Sequence, residues 1–306
     1  MTHMISLVRR GLRFRALPLV ALAGGIMACE SPERLTSTSE PLFSNDFAGG
    51  IPFGTFALPT SAMGDLFNGA MRNIGPKLLL KELAEIKDRG GKVVLMFAGN
   101  QRHYKGSDGR FSFSKWQERV DRFRGVNFSS YIEDGTIIGH YLIDEPNDDF
   151  NWGGQPVTGS MVEQMAAYSK QLWPQMGTIV RVEPGYLGQT GGPYQYLDAA
   201  WAQYVTRKGT ASEYLRRNVA DAERLNLGLI IGLNVRAGGP RRSEMTSSLI
   251  ESAGSTFLED PYPCAFISWQ YNEKYLARPD IRAAMEGLSA KARAHSAQSC
   301  QGGRES

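Results

Sequence analysis

The chain has 306 residues, 42% of them hydrophobic and 21% charged, which excludes wholesale disorder, a collagen-like repeat and a coiled-coil fibre. The formal charge is +3, but residues 1–28 hold Arg9, Arg10, Arg13 and Arg15 and no acid, so the other 278 carry 3 − 4 = −1. The basic excess belongs to the leader, so no nucleic-acid partner is expected. Four His and three Cys assemble no zinc framework, and neither a metal nor a cofactor is expected.

The N-terminus reads as an export signal. Arg9 to Arg15 form a basic region, and Ala16 to Ala28 form an apolar stretch ending in small side chains. Such a stretch is too short for a permanent membrane span and has the shape of a secretory core. Its end, Ile26-Met27-Ala28-Cys29, resembles the lipobox of bacterial lipoproteins. That resemblance implies lipidation of Cys29 and an exported chain anchored to the cell membrane or the outer membrane. Residues 29–49, rich in Ser, Thr, Pro and Glu, read as a flexible tether. In an oxidising envelope Cys264 and Cys300 can pair or stay free, and the sequence leaves the choice open.

From Gly50 onward, short apolar runs alternate with amphipathic segments. The predicted strands are Phe53–Leu58, Lys92–Ala98, Thr136–Ile143, Thr178–Val182, Ala199–Tyr204, Leu227–Val235 and Ala265–Tyr271. Near-continuous apolar runs such as Val93-Val94-Leu95-Met96-Phe97 suit parallel strands covered on both faces. Between them, Ser114 with Gln117, Ser160 with Glu163 and Thr210 with Glu213 fit the capping-box spacing at helix starts. An eighth strand is expected in Ile74–Ala84 or Val126–Ile132. Seven or eight such units in about 250 residues give an α/β fold, a (β/α)8 TIM barrel over 50–295, with a disordered tail over 296–306. An open doubly wound sheet is the alternative, weakened because no Gly-x-Gly-x-x-Gly turn follows an early strand.

In a barrel the site is built at the C-terminal strand ends. Those ends here carry Asn100, His103 and Tyr104, then Asp144 and Glu145, then Arg181 and Glu183, Trp201 and Gln203, Asn234, and finally Trp269 and Gln270. Trp152 follows the acid turn and is read as a wall of a sugar subsite. Acids, amides and aromatics together suit a carbohydrate, whose C–H faces stack on rings and whose hydroxyls need polar partners. His103 and His140 have ordinary readings too, as loop or core hydrogen-bonding groups.

Along His140-Tyr141-Leu142-Ile143-Asp144-Glu145-Pro146, strand alternation places Tyr141 and Glu145 on one face and Asp144 on the other. Glu145 is therefore expected to aim at the barrel axis. A strand ending in acid-Glu-Pro resembles the fourth-strand end of the clan A TIM-barrel glycoside hydrolases, whose Asn-Glu-Pro carries the acid/base glutamate. Asp144 stands here in place of that Asn. The resemblance also implies a glutamate nucleophile at the end of strand seven, where this chain has Asn234. The candidate partner of Glu145 is then Glu183, with an ion pair to Arg181 or another barrel cation as its ordinary reading. Trp269 resembles the sugar-floor tryptophan of many barrel glycosidases.

Two functions stay open. One is a glycoside hydrolase-like enzyme acting on a poly- or oligosaccharide at the cell envelope, with Glu145 and Glu183 as paired carboxylates. The other is a non-catalytic glycan-binding or scaffolding lipoprotein that keeps the barrel without the chemistry.

Overall fold

The computed structural model describes residues 50–296 and 299–301. The leader, the lipobox with Cys29 and the tether lie outside the described residues. Eight parallel strands close into a barrel: β1 Phe53–Phe56, β2 Gly69–Arg72, β3 Lys92–Leu95, β4 Ile137–Asp144, β5 Thr178–Arg181, β6 Ala199–Tyr204, β7 Gly228–Leu233 and β8 Pro263–Ser268. Each strand pairs with the next, and β8 returns to β1, so no edge is left open. The helices of the outer ring are α1 Leu79–Asp88, α2 Phe113–Asp121, α3 Ser129–Glu133, α4 Gly159–Leu172, α5 Pro184–Thr190, α6 Ala211–Leu225, α7 Ser247–Glu259, α8 Glu273–Leu276 and α9 Pro279–Ala294.

Seven strands fall where the apolar runs place them. The eighth does not lie in 74–84 or 126–132, which hold α1 and α3; it is β2. Gly69-Ala70-Met71-Arg72 is short and has no apolar run, so periodicity could not mark it. Close backbone packing marks it instead. Gly69 pairs with Gly54 of β1, and a Cβ on Gly54 would sit 1.7 Å from the Gly69 carbonyl oxygen. Only glycine allows the two strands to approach in this way.

The core has two layers. Residues on the helix side of the strands, such as Val93, Leu95, Leu142 and Val180, join the helices in one buried cluster. The barrel interior forms a second, with Phe56, Met71, Val94, Tyr141, Ile179, Trp201, Ile230 and Ile267. Its lower end is closed by a disulfide between Cys264 and Cys300. With 36 residues of separation, that bridge removes chain entropy from the unfolded state worth roughly 4 kcal/mol. Cys300 is 5% exposed, so part of the expected 296–306 tail belongs to the barrel.

Of the three capping boxes, one forms. Thr210 and Glu213 cap α6 reciprocally. The starts of α2 and α4 are capped by Ser112 and Thr158, each two residues earlier than expected. Glu163 is thereby released, and its carboxylate accepts from the backbone N–H groups of Gln195, Tyr196 and Leu197, fixing the chain just before β6.

Candidate functional site

At the C-terminal mouth, the end of β4 departs from regular pairing. Its register with β5 shifts between Tyr141 and Asp144. The simple alternation argument fails at that step, and Asp144 turns to the same side as Tyr141. The Tyr141 hydroxyl donates to Asp144 Oδ1 at 2.8 Å, and Arg181 Nε donates to the same oxygen at 2.5 Å. Glu145 follows with φ +41°, left-handed for a residue that carries a side chain. This turn brings its Oε1 within 3.0 Å of the second guanidinium nitrogen of Arg181. Both acids therefore meet one cation, where sequence alternation had separated them.

Arg181 sits at the end of β5 with its side chain only 7% exposed. Burial alone opposes its charge, but Asp144, Tyr141 and Glu145 outweigh that and hold it above the ordinary arginine range. Its guanidinium also lies over two rings, 5.1 Å from the centre of Trp269 and 5.4 Å from that of Phe56. Burial first, and then the Asp144 charge, push the Tyr141 phenol well above the usual tyrosine range. It therefore serves as a proton-bearing donor.

The glutamate turn is held from below. Trp152 Nε1 donates to the Glu145 carbonyl at 2.9 Å, and the Asp148 N–H donates to the same oxygen. Trp152 was expected to wall a sugar subsite, but it is fully buried between Tyr104, Phe111 and the Lys105 ammonium. Tyr104 is 1% exposed and belongs to the same packing. Asn100 caps the short turn Gln101–Tyr104 by accepting from the Arg102 N–H, and His103 is exposed beside Arg102. Asn100, Tyr104 and Trp152 thus support the loops after β3 and β4, and Trp152 reaches the cluster through the Glu145 backbone.

The floor comes from β6 to β8 and β1. Trp201 is fully buried, packs on Phe56 and Tyr141, and donates from Nε1 to the Ile267 carbonyl. Gln203, one pleat nearer the mouth, donates to that same carbonyl, and its Oε1 has no partner. Trp269 is partly exposed and meets Phe56 edge-on at 4.9 Å. Gln270 follows it, also partly exposed. Asn234 stands just past β7, and its Oδ1 accepts from the Ala237 N–H, so it shapes the next loop. Phe56 was not singled out from the sequence, although it shares the inward face of β1 with Gly54.

Glu183 is placed differently. Lys208 Nζ lies 2.6 Å from its Oε1, and a guanidinium nitrogen of Arg217 lies 3.6 Å from Oε2. The expected ion pair forms with these other barrel cations, because Arg181 is committed to Asp144 and Glu145. Nothing in the spacing of Lys208 or Arg217 signalled this pairing, because they come from the next loop and from α6. His140 is a core residue, with Nδ1 2.9 Å from the Ser169 hydroxyl and Phe97, Trp116 and Trp173 around it.

The barrel is shared with solved enzymes. Xylanase 10B from Thermotoga petrophila RKU-1, in complex with xylobiose, matches with a TM-score of 0.52 and 12% identity, over 80% of this chain and 95% of that one. A cellulase in complex with an inhibitor matches with a TM-score of 0.53 and 12% identity, over 78% and 92%. At such identities the likeness establishes the fold alone, that of a TIM barrel. No protein-family model matches the chain, and no curated protein sequence does either.

Proposed function

We propose that this chain is a glycoside hydrolase-like enzyme acting on a poly- or oligosaccharide at the cell envelope, with Glu145 as its acid/base. One observation carries the reading. Asp144, Glu145 and Arg181 converge beside the partly exposed ring of Trp269 at the C-terminal mouth of a closed barrel. Trp269 offers a face for a pyranose ring, and the polar cluster meets its hydroxyls and glycosidic oxygen.

The two acids divide the work. Asp144 takes the shorter contact with Arg181 and a hydrogen bond from Tyr141, so it balances the buried cation. The Glu145 side chain is 47% exposed and reaches the open mouth. There it donates a proton to the departing glycosidic oxygen. The anomeric carbon is taken either by Glu183, to be released by a water that Glu145 then deprotonates, or directly by a water that Glu183 deprotonates. Glu183 is the second carboxylate, aimed by Lys208 and Arg217. The test is turnover of a polysaccharide panel by wild type and Glu145→Gln. Activity that disappears with the titratable carboxyl supports the reading.

The double pairing of Glu183 favours a second reading, a glycan binder without catalysis. Under it, wild type binds sugar polymers and releases no reducing ends.

The envelope location rests on the Ala28-Cys29 motif, with Cys29 as the lipid anchor and the barrel facing its glycan. Replacing Cys29 with Ser should move the exported protein from the membrane to the soluble fraction. Retention of the Cys29→Ser protein in the membrane after export and signal cleavage contradicts the anchor.

A further inference from the structure

The rim of the mouth is electrically divided. The β4 end and the loop after it, residues 144–158, hold Asp144, Glu145, Asp148 and Asp149 and no cation. Across the mouth, the loop after β6, residues 205–210, holds Arg207 and Lys208 and no acid. The loop after β7, residues 234–246, holds Arg236, Arg241 and Arg242 against Glu244 alone.

Some of these cations are already used. Lys208 pairs with Glu183, and Arg236 pairs with Glu244 at 2.6 Å. Arg207, Arg241 and Arg242 are exposed, and among the described residues none of them makes an ion pair. Arg241 and Arg242 both have positive φ, 54° and 62°, a backbone that long side chains rarely adopt.

The two loops form one surface. The Thr206 N–H and hydroxyl both donate to the Gly238 carbonyl, at 2.8 and 3.0 Å, joining the loop of Arg207 to that of Arg241 and Arg242. The second loop also adjoins the proposed sugar platform. The Val235 N–H donates to the Trp269 carbonyl, and Trp269 in turn lies against Arg181.

We propose that this basic arc binds the negative groups of an acidic polysaccharide, one bearing carboxylates or sulfates along its length. The inference rests on the glycan reading of the mouth and names its substrate class. A single exposed cation is worth little in water, whereas three on one face engage a repeating polyanion together. The chain beyond the leader carries a net −1, so attraction to such a polymer comes from this arc and not from bulk charge.

The test is binding, measured for the full chain against polygalacturonate, dextran sulfate, neutral dextran and double-stranded DNA. Wild type should bind one of the acidic polysaccharides at least tenfold more tightly than dextran, with affinity falling as salt rises. Whether carboxylate or sulfate polymer is preferred identifies the group. A double variant, Arg241→Asn with Arg242→Asn, suits the left-handed backbone, and an unchanged melting temperature will show that it folds. It should lose about tenfold of the acidic-polymer affinity. Undiminished binding by that variant, or dextran bound as tightly as dextran sulfate, overturns the inference while leaving the hydrolase reading to Glu145→Gln. DNA binding as tight as that of either acidic polysaccharide overturns it too, because the arc would then read charge alone. An acidic polysaccharide that is bound and never cleaved upholds the arc and removes the hydrolase.

Discussion

Arg181 Nε donates to Asp144 Oδ1 at 2.5 Å, and this contact joins the ends of β4 and β5 at the mouth of the barrel. The cation is nearly buried and the carboxylate is 29% exposed. Removing Asp144 leaves the nearly buried cation with only its longer contact to Glu145. Asp144→Asn should therefore destabilise the fold by about 2–3 kcal/mol in chemical denaturation. Glu145→Gln, at the longer and more exposed contact, should cost less than about 1 kcal/mol. Equal losses from the two substitutions would contradict this division of roles.

Trp152 supports the acid turn from inside the fold. Trp152→Ala should cost about 3–5 kcal/mol, the usual size for deleting a buried aromatic side chain. Trp152→Phe should recover most of the packing without restoring the donor to the Glu145 carbonyl. Its stability should fall between wild type and Trp152→Ala. A Trp152→Ala protein of wild-type stability with weakened sugar binding would instead put that ring in the site.

His140 makes the fold sensitive to mild acid. Complete burial holds its pKa down at about 3, against an ordinary value of 6.5. The unfolded chain therefore takes up a proton near pH 6.5 that the folded chain refuses until far lower. The stabilisation is complete well above pH 6.5 and is lost progressively on the way down to about 3. Between about pH 8 and about pH 5 the loss should be about 2 kcal/mol, at 1.36 kcal/mol per pH unit below the unfolded value. Denaturation curves across that range should show the slope in wild type and a flatter one in His140→Gln. Parallel slopes would assign the acid sensitivity to other groups.

The barrel was legible because seven of its strands are apolar runs with both faces covered, a pattern written in consecutive residues. β2 escaped because it is held by the Gly54–Gly69 approach, a relation between two strands that neither displays alone. The mouth was legible as a set of strand ends, and Asp144, Glu145, Arg181 and Trp269 do meet there. Their arrangement was not legible. Strand alternation separates Asp144 from Tyr141, and only the register shift in β4 brings them together. Trp152 looked like a surface aromatic because its neighbours are Asn, Gly and acids. Its burial comes from Tyr104 and Phe111, some 40 residues earlier in the chain. Glu183 does pair with barrel cations, but Lys208 and Arg217 come from the next loop and helix, so the sequence could not single them out from Arg181.

The most direct measurement is the rate of reducing-end release by Glu145→Gln and wild type on the same polysaccharide. Gln keeps the size and hydrogen-bonding reach of Glu145 but carries no titratable proton. With Glu145 as acid/base, turnover should fall by roughly two to four powers of ten while the polymer stays bound. Glu145→Gln turning over at nearly the wild-type rate would contradict the account.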